Sequence, residues 1–214
     1  MHGMIRMTAA YPVHYSVERP LRFSRINLLV RVLAFIAIGV LGLSFGSVFL
    51  FAYLAFPVIA AIRLSGARDP GAYLHQDGPR VVAALRWLAA VSAWAGLTAE
   101  RLPSRSPSET VTVELEETSH LPATPSSAIW RVIAGIPSAL VLALLGCLGG
   151  LVWLWAALSI LVAERVGPAA FNYLAGLQRW SIRLLAYQAS LVDEYPPFSF
   201  SDAAPVLPAA HAAT

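Results

Sequence analysis

The chain has 214 residues, 57% of them apolar and 13% charged, with a mean hydropathy of +0.65, which leaves room for four membrane segments and little soluble domain besides. Its formal charge of +3 rests on 15 arginines and no lysine, too few and too scattered around apolar runs for a nucleic-acid surface. A single cysteine, Cys147, excludes an intrachain disulfide and a cysteine metal site.

Residues 1–10 carry no pattern and are expected to be a flexible N-terminus. YPVHYSVE then alternates, with Val13, Tyr15 and Val17 on one face and His14, Ser16 and Glu18 on the other, the period of a half-buried strand that Pro20 ends. LRFSRINLLVR reads as an interfacial run-up, with Arg22, Arg25 and Arg31 among apolar residues. The first 27 residues lack the basic-then-apolar layout of a cleavable signal, so the following helix is expected to stay as a span.

That span fills the 31 positions between Arg31 and Arg63 without a charge. As one helix it would measure about 46 Å against a hydrocarbon core of roughly 30 Å, so it must tilt or break. Pro57, Gly39, Gly42 and Gly46 offer places to bend, and Gly42/Gly46, like Gly146/Gly150 later, permit close helix approach in lipid. A turn-rich connection leads to residues 81–99, which carry one charge, Arg86; their length fits either a short span or a helix lying in the interface.

From Glu100 to Trp130 the composition turns to Pro, Ser, Thr and Glu, and VTVELEE alternates like the first strand. The 32 residues between Arg131 and Glu164 form a second uncharged run. After ERVGPAA comes FNYLAGLQRWSIRLLAYQASLV, helical in period, and DEYPPFSF closes the ordered chain before a flexible tail at 201–214.

These landmarks occur twice in one order: strand, arginine, long span, Pro-containing connection, Arg-Trp helix, acidic residue and proline. Arg31 answers to Arg131, Pro70 to Pro168, Arg86-Trp87 to Arg179-Trp180, and Glu100 to Glu194. The units run 11–103 and 104–200. Two crossings per unit would put both strands on one side, where they could pair. The expected fold is therefore an all-α membrane protein: a four-helix transmembrane bundle of two tandem helical hairpins, with a small two-stranded cytoplasmic β element. The crossings fall near 32–62, 81–99, 132–163 and 170–192, and the arginine bias puts both termini in the cytoplasm.

YPVHYSVERPLRFSR, the long apolar helix and FNYLAGLQRWSIRLLAYQASLVDEYPPFSF together resemble a family of bacterial integral membrane proteins defined as a domain of unknown function. The resemblance spans most of residues 11–200 and is strongest from Phe171 to Phe200; the first unit departs from it, with Ala90 where Arg183 would correspond. It implies a bacterial inner-membrane, multi-pass location and an architecture, but no reaction.

The residues singled out for anchoring, partner or lipid contacts are Arg86, Trp87, Arg179, Trp180, Arg183, Tyr187, Asp193, Glu194, Tyr195 and Phe198. Arg179 and Arg183 share one face of an apolar helix, and embedded charge needs a partner. Headgroup anchoring is one role, a network with Glu100, Glu164, Asp193 or Glu194 a second, an anion or substrate site a third. No histidine lies in an apolar segment and no hydrolase or phosphate-loop motif occurs. The expected function is a non-catalytic structural or accessory subunit of a bacterial membrane assembly, alternatively a small transporter or lipid-binding protein. Its expected partners are membrane lipids and a membrane protein or second copy, with no cofactor, metal or nucleic acid.

Overall fold

A computed structural model describes residues 11–41, 44–66, 72–116 and 124–201. The expected flexible ends, Gly42 and Pro70 lie outside the described residues. The order is β1 (Val13–Ser16), α1 (Arg25–Val40), α2 (Phe45–Gly66), α3 (Ala72–Gln76), α4 (Gly78–Ala95), β2 (Thr112–Leu115), α5 (Pro125–Ala163) and α6 (Pro168–Gln188), with a 3-10 turn at Pro107–Glu109. The chain is mostly helical with a small two-stranded sheet.

The first apolar run breaks. A new helix starts at Ser44, whose amide donates to Ser47 Oγ at 2.8 Å while the Ser47 amide donates to Ser44 Oγ at 3.1 Å. This reciprocal pair satisfies two N-terminal amides, as a capping box does, inside an otherwise apolar stretch. Pro57 is accommodated within α2. The second run stays whole: α5 opens on a Thr124/Ser127 capping box and continues for 39 residues, about 58 Å. Among the described residues two helices, Gly46–Gly66 and Pro125–Ala163, are long and apolar enough to cross a membrane; α4 and α6, expected as further crossings, are not in that class.

Three layers stack. The first pairs α1 and α2 antiparallel to α5: Arg25 Nη2 donates to Val162 O at 3.2 Å, Phe35 meets Trp153 edge-on at 5.5 Å, and Tyr53 Oη donates to Val132 O at 2.6 Å. In the second layer α6 lies along α5, with Tyr173 Oη on Leu145 O at 2.9 Å and Gln188 Nε2 on Arg131 O at 2.9 Å. Antiparallel beside α6 runs α4, tied by Gln178 Nε2 to Ser92 O at 3.0 Å and, through α3, by Tyr73 Oη to Ala189 O at 2.7 Å.

The sheet forms the third layer. β1 and β2 pair antiparallel, with Tyr15 opposite Val113 and His14 opposite Glu114. The alternation works as expected: Val13, Tyr15 and Val113 are buried, and Ser16, Thr112 and Glu114 are exposed. β1 lies over the middle of α6.

On α5 the two faces are opposite in kind. Arg131, Gly135, Ser138, Leu142, Gly149, Ala156 and Ile160 are buried, whereas Ile133, Leu140, Leu144, Leu151, Leu158 and Leu161 are exposed, each set at helical spacing. The same division holds on α1, where Leu28 and Arg31 are buried and Ile26, Leu29, Leu33 and Ile36 exposed. The glycines expected to mediate packing do not: a Cβ on Gly146 or Gly150 would meet nothing within 4 Å. Gly135 does, because its Cβ would run into Gln188 Nε2 and Tyr53 Oη.

Candidate functional site

Two of the three arginines buried among the described residues are Arg31 and Arg131, which sequence reasoning read as charges flanking the spans. Arg131 is nearly two turns into α5. Its Nη1 donates to Tyr187 O at 3.0 Å and to Val192 O, its Nη2 donates to an Asp193 oxygen at 2.6 Å, and its guanidinium lies 4.6 Å from the Tyr187 ring centroid. These acceptors belong to the end of α6, where Ser190 takes φ 55° and the Leu191 amide closes back on Ala186 O at 3.1 Å. Such a left-handed turn leaves carbonyls pointing outward at the negative end of the helix, which is where a cation binds best.

The same construction occurs at the opposite end of the molecule. Leu97, after α4, takes φ 59°, and the Thr98 amide closes on Ala93 O at 3.0 Å. Arg31 of α1 donates Nη2 to Ala99 O at 2.6 Å and Glu100 O at 2.7 Å and stacks 5.4 Å from the Trp94 ring. Asn27 supports the turn, donating Nδ2 to the Glu100 carbonyl. One difference separates the two clamps. Arg31 is fully buried, and its Nε and Nη1 have no hydrogen-bond partner among the described residues.

The arginines of the Arg-Trp pairs hold the sheet. Arg179 Nε donates to Tyr15 O at 3.1 Å, and Arg86 Nε donates to Val113 O at 3.0 Å. Tyr15 and Val113 are register partners, so each helix grips the strand that belongs to the other half of the chain. Arg183, 1% exposed, donates Nε to Val13 O at 3.3 Å and Nη1 to Ser201 O at 3.0 Å, with the Tyr11 ring 5.5 Å away. Arg179 Nη1 also donates to Phe200 O. These hydrogen bonds of both arginines end on backbone carbonyls. Asp193, one of the acidic partners considered for them, takes Arg131 instead.

The remaining candidates form the cover over α6. Trp180 is buried and meets Phe198 and Phe200 edge-on at 5.2 and 6.2 Å; its counterpart Trp87 is 40% exposed. Tyr187 packs on Tyr195 at 5.6 Å, and Tyr195 Oη lies 2.6 Å from Ser138 Oγ. Glu194 contributes its carbonyl, which accepts from Tyr11 Oη at 3.1 Å, while its residue is exposed. The YPPF segment thus returns along α6 instead of leaving the fold. Phe198 remains 59% exposed.

Gln178 carries a buried polar junction that the apolar pattern hid. Tyr15 Oη donates to Gln178 Oε1 at 2.8 Å, Thr98 Oγ1 to the same atom at 2.7 Å, and Gln178 Nε2 to Ser92 O. Burial pushes the Tyr15 and Tyr11 phenols above their ordinary range and Tyr73 up to about 12. Glu164 goes the other way: the hydrogen bond from Arg22, reinforced by the charges of Arg22 and Arg25, holds its carboxyl below the usual carboxylate range.

Two open clefts flank α1. One, of about 520 Å³, is lined by Arg22, Ser24, Arg25, Glu100 and Glu164 among others; the second, of about 450 Å³, runs between α1 and α5 past Leu28, Phe35, Trp153 and Leu161. Neither is lined by Arg179 or Arg183. Among the described residues no three His, Cys, Asp or Glu side chains converge as a metal would need.

Residues 125–199, which hold α5, α6 and the YPP turn, match the family described as Domain of unknown function (DUF4389). The matched stretch is less than half of the chain and leaves out residues 11–124, where the likeness was expected to continue. No curated protein and no solved structure matches the chain.

Proposed function

We propose that this protein is a non-catalytic accessory subunit of the bacterial inner membrane, assembled from two tandem units, 11–103 and 104–200, and bound to lipid through α1, α2 and α5. The observation that carries the reading is the pairing of two facts about the same side chains. The ionisable groups at depth, Arg31, Arg131, Arg179 and Arg183, are occupied by carbonyls of the chain itself, while the apolar stripes of the long helices are left uncovered. Groups consumed in holding helix ends and strands are not free to bind a substrate or move a proton. An apolar face of this length is a partner surface.

The tandem reading is supported by the matched clamps Arg31/Arg131, the matched turns at Leu97 and Ser190, and the crosswise grip of Arg86 and Arg179 on the two strands. Transport through Arg179 and Arg183 has less support, because neither cleft beside α1 is lined by them. The lipid-binding alternative retains one observation of its own, the apolar cleft between α1 and α5 with Arg22 and Arg25 just beyond it along α1.

The test is fractionation followed by reconstitution. Carbonate-resistant retention in the membrane fraction, one membrane protein held in stoichiometric ratio in nanodiscs, and no solute flux in proteoliposomes are expected. Recovery in the soluble fraction would overturn the membrane part of the reading, and flux that Arg183→Lys abolishes would overturn the accessory part.

A further inference from the structure

We infer that the paired long helices lie flat in one leaflet of the bilayer instead of crossing it, with the β1–β2 sheet facing water. This rests on the membrane reading above and adds the orientation and the kind of surface recognised: the interfacial zone of a single phospholipid leaflet.

The position of the sheet decides the orientation. Leu177 of α6 faces Gly149 and Gln188 faces Gly135, so residues 179–183 lie alongside the middle third of α5. The strands held by Arg179 and Arg183 are therefore level with the midpoint of α5. Stood upright as a transmembrane hairpin, the molecule would put the sheet at the centre of the hydrocarbon. There it would present exposed Glu114 and the His14–Glu116 pair at 3.0 Å. Ionisable side chains facing lipid at that depth are costly, because nothing there solvates them. Laid flat, the sheet is the layer farthest from the apolar stripes and stands in water.

Length and charge agree with the flat pose. At about 58 Å, α5 is nearly twice the roughly 30 Å core, and its stripe from Ile133 to Leu161 stays exposed throughout. In the plane of an interface a helix has no length limit. Arg22 and Arg25 stand at one end of the helix pair and Arg63 and Arg80 at the other. Flat, both groups reach headgroup phosphates of the same leaflet.

Depth-resolved quenching tests this with the native thiol. Cys147 is exposed near the middle of α5 and is the sole cysteine of the chain. Wild type reports the midpoint; Ile133→Cys, Leu161→Cys and Glu114→Cys, each in a Cys147→Ser background, report the two ends of the stripe and the sheet. Each is labelled with a fluorophore in phosphatidylethanolamine/phosphatidylglycerol vesicles carrying brominated acyl chains. The flat pose gives equal, shallow quenching at 133, 147 and 161, with the label at 114 quenched only by aqueous iodide. A profile deepest at Cys147 and shallow at both ends would overturn the flat pose while leaving membrane binding intact. Absence of lipid quenching at every site would instead overturn membrane binding itself, and label-to-label quenching across copies would then assign the face to a second copy of the chain.

Discussion

Removing the Arg131 side chain is expected to cost about 3–5 kcal/mol, the range for breaking a buried charged cluster by deleting one member. The magnitude follows from what the side chain holds. Two carbonyl bonds from a charged donor contribute roughly 1.5–3 kcal/mol each, and both acceptors, Tyr187 O and Val192 O, are buried with it. The Asp193 contact adds less, on the order of 1 kcal/mol, because that carboxylate is 32% exposed and screened. Against a total stability of roughly 5–15 kcal/mol the loss is large. Denaturant titration in a mild detergent, read by tryptophan fluorescence, measures it for Arg131→Ala, Arg131→Lys, Asp193→Ala and the Arg131→Ala/Asp193→Ala double variant. Lysine keeps the charge but loses the planar fork, so about half of the stability should return. The coupling between Arg131 and Asp193 should be near 1 kcal/mol, well below the cost of Arg131→Ala. A cost under about 1 kcal/mol for Arg131→Ala, or a coupling equal to its whole effect, would refute the claim that the carbonyls of the αL turn are what this arginine holds.

Ser190→Gly should stabilise the protein by about 1 kcal/mol, since glycine removes the left-handed penalty and the Ser190 hydroxyl has no partner among the described residues; thermal unfolding reads it. Gly135→Ala should cost about 1–3 kcal/mol by driving a methyl into Gln188 and Tyr53, while Gly146→Ala, in open space, should stay within about 0.5 kcal/mol, with denaturant midpoints as the measure. Above pH of about 10 the unfolded chain releases phenol protons that buried Tyr15 retains, so stability is full below that pH and falls as pH rises beyond it. A pH series of unfolding midpoints checks the sign, and a rise in stability on the alkaline side would contradict the burial of Tyr15.

Much of the architecture was legible because it depends on patterns that sequence carries directly. Val13, Tyr15 and Val17 alternate against His14, Ser16 and Glu18, and that period is what a half-buried strand requires; Val111 to Leu115 repeat it. The break after Leu41 was also written in the chain, as Ser44-x-x-Ser47, but two serines in an apolar run look like isolated polar residues until their reciprocal bonds are seen. The arginines were legible only in part. Headgroups and acidic side chains were the partners the sequence offered for Arg179 and Arg183, while Arg31, Arg131, Arg179 and Arg183 all donate to backbone carbonyls as well, and a carbonyl freed by an αL turn or a strand edge has no letter in the sequence. Gly135 was passed over in favour of Gly146 and Gly150 for a related reason, since spacing names a helix face but cannot say which face meets Gln188. Four crossings were inferred from the need for the strands to pair on one side. The strands do pair, and they do so over the middle of α6.

Ending α4 and α6 on Leu97 and Ser190 couples α4 to α1 and α6 to α5. A glycine at either position would close the left-handed turn without help, whereas an L side chain there costs roughly 1–2 kcal/mol. The arginine that offsets this cost comes from the start of a separate helix, α1 for the Leu97 turn and α5 for the Ser190 turn. Each turn is therefore poorly formed until the long helix of its own unit has docked. The next contacts run crosswise, from Arg86 to the strand of the second unit and from Arg179 to the strand of the first. A unit that docked its own long helix would still leave its strand ungripped until the partner unit arrived. Arg31, Arg131, Arg86 and Arg179 thus make the two proposed units interdependent, which is the property the proposed accessory subunit needs if it is to present one fixed surface.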